Sequence, residues 1–85
     1  METIRCNNKE EFYYNIKTIV FSEDTQILLV NGNNTIASFI INCNDPTVHL
    51  KARSEEKSFV VEGKNREKGG NVPIDEIINW FNWFI

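Results

Sequence analysis

Apolar and polar positions change period several times along this chain, and each change marks an element. Phe12, Ile16, Ile19 and Val20 recur at i, i+4, i+7 and i+8, which is one stripe of a helix. Asn8 stands where an N-cap belongs, and Glu11 falls at N3, where it can reach back to the cap. The helix is expected to run to about Phe21, with Tyr13 bordering the stripe and Tyr14 and Lys17 facing away from it. Before it, Ile4 and Cys6 share one face of a candidate short strand over Met1–Cys6.

Four further runs have strand character. Gln26–Val30 is a short apolar run and reads as a buried strand. Asn31-Gly32-Asn33-Asn34 is a hairpin signal, because Asn-Gly accepts positive φ at both central positions. Thr35–Cys43 then returns, and Asn44-Asp45-Pro46 turns again. Thr47–Arg53 alternates, with Val48, Leu50 and Ala52 on one face and His49, Lys51 and Arg53 on the other. Ser54–Lys57 reads as a turn, Phe59–Glu62 as a strand, and Gly63–Asn71 as a charged loop. A last helix begins near Pro73, with Asp75 and Glu76 in the first turn, where the helix dipole favours acids.

The element order is therefore (β)-α-β-β-β-β-α in a single domain over residues 1–85. The fold class expected is α+β: a four- or five-stranded antiparallel meander, with an N-terminal and a C-terminal helix on one face. The helix–meander–helix order is similar to that of the double-stranded-RNA-binding domain and of several small phage inhibitors. That likeness rests on element order and covers no motif. The last helix also begins with Asp75 and Glu76, without the lysine-rich start that phosphate contact needs.

The closing stretch, Ile78 to Ile85, reads INWFNWFI. At about 100° per residue, Ile77, Ile78, Phe81, Phe84 and Ile85 cluster within roughly 50° of one direction. Trp80 lies about 100° from that direction and Trp83 about 160°. Core packing thus accounts for the isoleucines and phenylalanines but not for the tryptophans. Two outcomes are open for Trp80 and Trp83: rings folded over the first helix beside Tyr13 or Tyr14, or an exposed aromatic patch that anchors a partner.

Composition narrows the classes. The 85 residues are 41% hydrophobic and 12% aromatic, enough for one core and unlike a disordered chain. A net charge of -3 argues against general duplex binding, whose footprint is a basic domain. The start, Met1-Glu2-Thr3-Ile4-Arg5-Cys6, has no apolar signal segment, and no run reaches the length of a membrane helix. With two cysteines, Cys6 and Cys43, the expectation is a cytoplasmic protein with free thiols. Abundant Asn, Ile and Lys suggest an AT-rich coding sequence.

Candidate chemistry is sparse. Cys43, Asp45 and His49 have the residue types of nucleophile, orienting acid and base, but their spacing matches no catalytic pattern. Two cysteines and one histidine fall short of a closed zinc site. Gly63-Lys64 and Lys68-Gly69-Gly70 lack the Gly-Lys-Ser/Thr of a phosphate loop. No enzyme activity and no cofactor are expected. The leading expectation is a small protein-binding module, an inhibitor or immunity-type protein of phage or mobile-element character, acting by surface occlusion. Its partner-binding residues would be Trp80, Trp83, Tyr14, His49, Lys51 and Arg53, against another protein or a second copy of itself. The alternative is a nucleic-acid binder that stacks bases on aromatic rings and uses Lys51, Arg53, Lys64 and Arg66.

Overall fold

The computed structural model describes residues 1–18, 24–42, 47–60 and 73–85. They form β1 (Glu2–Cys6), α1 (Lys9–Thr18), β2 (Thr25–Asn31), β3 (Asn34–Ile41), β4 (Thr47–Ala52), β5 (Glu55–Val60) and α2 (Ile74–Phe84). The five strands lie side by side in sequence order. The antiparallel meander is present in β2–β5, whereas β1 pairs with β2 in parallel, from Glu2 opposite Thr25 to Cys6 opposite Leu29. A strand followed by a crossing helix returns to the same end of the sheet, so its successor runs parallel. The sheet is therefore mixed.

The α1 start follows its cap. The Glu11 N–H donates to Asn8 Oδ1 at 2.9 Å, and the Phe12 N–H donates to the Asn8 carbonyl at 3.1 Å. Glu11 Oε2 accepts from the Asn7 N–H at 3.3 Å, one residue earlier than an ideal capping box. The expected extension of α1 through Ile19 and Val20 to Phe21 lies outside the described residues. So do Cys43, Asp45 and the Gly63–Asn71 loop with Lys64, Arg66 and Lys68.

Two hairpin readings are corrected. Asn31 ends β2 opposite Asn34, so the central pair is Gly32-Asn33 and not Asn31-Gly32, and positive φ occurs only at Gly32 (φ 63). Glycine at the first central position alone is the habit of the other tight hairpin turn. The second correction concerns Ser54–Lys57, which is not a turn. Arg53 and Ser54 make a two-residue turn, and β5 begins at Glu55. Among the described residues β5 pairs with β4 alone, and charge across Glu55, Glu56 and Lys57 suits such a strand, because it discourages pairing with foreign chains.

Both helices cover one face. α1 packs over β1 and β2, α2 packs over β4, and the helices touch each other. Phe12 and Ile16 of α1 and Ile77 and Phe81 of α2 are fully buried against Ile27, Leu29, Phe39, Ile41, Val48 and Leu50. Phe12 and Phe81 meet edge to face at 5.0 Å, so aromatic packing joins the helices above the sheet. No described helix is long and apolar enough to cross a membrane.

Candidate functional site

The residues singled out for partner binding divide between two opposite surfaces. Tyr14, Trp80 and Trp83 belong to the helix layer. His49, Lys51 and Arg53 belong to the far face of the sheet. A helix and a sheet separate the two sets by about 20 Å of stacked layers. No single flat partner surface touches both.

On the helix layer, burial fixes the orientation. The core-facing residues of α2 are Ile77 and Phe81, which leaves Asn82 on one flank, Trp80 on the other and Trp83 pointing outward. The Asn82 flank faces α1, because the Tyr13 hydroxyl donates to Asn82 Oδ1 at 2.7 Å. Trp80 therefore sits on the flank away from α1 and does not fold back over that helix. Its half-buried ring meets Phe81 at 5.2 Å and Phe84 at 4.9 Å. Trp83 is 81% exposed and Tyr14 is 66% exposed. Tyr14 points away from the sheet on α1, and Trp83 does so on α2. Burial raises the Tyr13 hydroxyl pKa above its ordinary value, which keeps it a donor to Asn82.

On the sheet face, register decides which side chains meet. Gln26, Ile40, His49 and Ser58 form one cross-strand row, and Leu28, Ser38, Lys51 and Glu56 form the next. His49 Nδ1 lies 3.2 Å from Ser58 Oγ. A bulge interrupts β2–β3 pairing: Leu29 opposes Ala37 and Val30 opposes Thr35, so Ile36 is the extra residue. The Ile36 carbonyl accepts from the Arg53 N–H at 3.0 Å, which ties the bulge to the β4–β5 turn. Sequence periodicity placed His49, Lys51 and Arg53 together. It missed Ser38 and the bulge, because alternation fixes which face a residue takes and not the register that sets Ser38 opposite Lys51.

The Cys43–Asp45–His49 reading rests on Cys43 and Asp45, which lie outside the described residues. No cluster of His, Cys, Asp and Glu among the described residues could hold a metal ion. Cys6 is a free, fully buried thiol. Burial, and then the nearby Glu11 carboxylate, push its pKa up, against a lowering contribution from the Asn15 amide at 3.6 Å. A thiol held protonated is a weak nucleophile. No family model, curated protein or solved structure matches this chain.

Proposed function

We propose that this chain is a non-enzymatic protein-binding module of the inhibitor or immunity type, which acts by covering a surface of its partner. The observation that carries the reading is Trp83, a large apolar ring 81% exposed on an otherwise well-packed helix. Tryptophan is enriched among the few residues that supply most interface energy. Tyr14 supplies a second exposed ring on the outer side of the helix layer. Trp80, half-buried on Phe81 and Phe84, supports the helix and borders the patch. The nucleic-acid alternative gains less support: Tyr14 and Trp83 lie on the face opposite Lys51 and Arg53, and its other cations, Lys64 and Arg66, lie outside the described residues.

A photo-crosslinking residue at position 83, with position 56 on the sheet face as control, tests the reading in the protein's own cells. The expected result is one protein partner captured from position 83 and not from 56. Trp83→Ala should keep the wild-type urea midpoint and weaken that partner by about 30-fold or more, the scale of a hot-spot truncation. Capture of a second copy of the chain would make the module a homodimer through this patch. A folded Trp83→Ala that binds the captured partner unchanged refutes the assignment.

A further inference from the structure

The sheet face opposite the helices holds a cavity of about 310 Å³ whose charged lining, among the described residues, is entirely cationic. Lys51 and Arg53 stand at its rim, Gln26 and Ser38 supply polar groups, and Leu28 and Ile36 supply apolar contact. The volume lies at the lower end of small-molecule sites. Ser38 is only 9% exposed, yet its hydroxyl makes no hydrogen bond with any described residue. No fully sealed side-chain polar atom among the described residues lacks a partner, so this hydroxyl is open to the cavity. A hydroxyl that faces the cavity without a protein partner is free to donate to a group seated there. Neither cation is neutralised by a described residue. Glu56 is the direct cross-strand neighbour of Lys51, but no ion pair forms between them, and Arg53 makes none with a described residue. A second cavity of about 190 Å³ adjoins the first and shares Ser38 and Lys51, but Glu56 enters its lining, which makes it the poorer anion site.

The backbone adds an independent sign. Arg53 has φ 58, a conformation that glycine adopts without strain and that costs other residues energy. The β2–β3 hairpin places Gly32 at the equivalent turn position. Strained backbone concentrates at sites of function. Here it puts a guanidinium, a planar donor suited to carboxylate and phosphate, at the cavity rim.

We infer that this cavity binds a small anionic molecule bearing a phosphate or carboxylate group. Lys51 and Arg53 pair with the anion, the Ser38 hydroxyl donates to it, and Leu28 and Ile36 contact its apolar part. The site is independent of the aromatic patch on the opposite layer.

The test is an amide-resolved NMR titration of the whole chain at about 0.15 M chloride, where loose surface attraction is screened. The probes are inorganic phosphate, O-phosphoserine and malate, which separate phosphate from carboxylate chemistry, with an oligo-aspartate peptide as a macromolecular control. The expected result is saturable movement of the Ser38, Lys51 and Arg53 amides by at least one small anion, with Kd below about 1 mM. Lys51→Gln and Arg53→Gly should each weaken it about tenfold, the scale of losing a charge-assisted hydrogen bond. Ser38→Ala leaves both charges in place and should still weaken it several-fold, which diffuse charge attraction would not do. The inference is overturned if no small anion saturates by about 10 mM, if Ser38→Ala has no effect, or if only the peptide binds.

Discussion

Two substitutions in the two tight hairpins should move stability in opposite directions. At Gly32 (φ 63) an added methyl group would meet no atom within 4 Å, so Gly32→Ala tests backbone conformation free of any clash. Left-handed backbone costs a non-glycine residue about 1–2 kcal/mol, and removing glycine from the unfolded chain returns about 0.4–1 kcal/mol. Gly32→Ala should therefore destabilise by roughly 0.5–1 kcal/mol. Arg53→Gly runs the same ledger backwards. The Arg53 side chain makes no ion pair with a described residue, and its N–H to the Ile36 carbonyl survives the change. It should stabilise by roughly the same amount. With a urea slope of about 1 kcal/mol per molar, the midpoints separate from wild type by about 0.5–1 M in opposite senses. The melts belong in phosphate-free buffer, so that no anion favours the wild type. Destabilisation by Arg53→Gly would refute the strain argument and show that the guanidinium makes a stabilising contact.

Within α2, Phe81→Ala should cost about 3–5 kcal/mol, because the ring is fully buried against Phe12 and Trp80, whereas Trp83→Ala should change stability by less than about 0.5 kcal/mol; paired urea melts check both. Asn8→Ala should cost about 1 kcal/mol through loss of the bond to the Glu11 N–H, read in the same assay. Alkaline pH should weaken the fold. The Cys6 thiol and Tyr13 hydroxyl have folded pKa values raised above their ordinary 9.0 and 10.0, so the unfolded chain releases these protons first. Stability is intact below pH 9.0 and falls as pH rises past it. Cys6→Ala in a Cys43→Ser background should remove the earlier part of that decline, and an unchanged pH profile would contradict it.

Local rules were legible where one short-range interaction governs an element. Asn8 and Glu11 announced the start of α1, and the angular positions announced Ile77 and Phe81 as core, while both outcomes for Trp80 and Trp83 stayed open until α1 was placed beside Asn82. The failures arise where distant segments decide. β1 is parallel because α1 carries the chain back across the sheet, which a five-residue strand cannot reveal by itself. Glu55-Glu56-Lys57 resembled a turn by composition, yet these residues pair with Leu50, Lys51 and Ala52 and gain a ladder in exchange. The cavity around Ser38 depends on the β2–β3–β4 register and on a bulge that no single strand encodes.

The same packing explains why an exposed tryptophan can be held ready. An interface residue on a mobile segment must be ordered when its partner arrives, and that cost subtracts from affinity. As the proposed anchor, Trp83 would avoid much of it. The Ile85 N–H donates to the Phe81 carbonyl at 2.8 Å, so helical bonding continues beyond Trp83. On one flank Asn82 is tied to Tyr13 of α1, and on the other Trp80 rests on Phe81 and Phe84. Phe81 in turn locks against Phe12 in the core. The half-buried aromatics thus serve the fold, and through it they fix the direction of a neighbouring ring that the fold itself does not need.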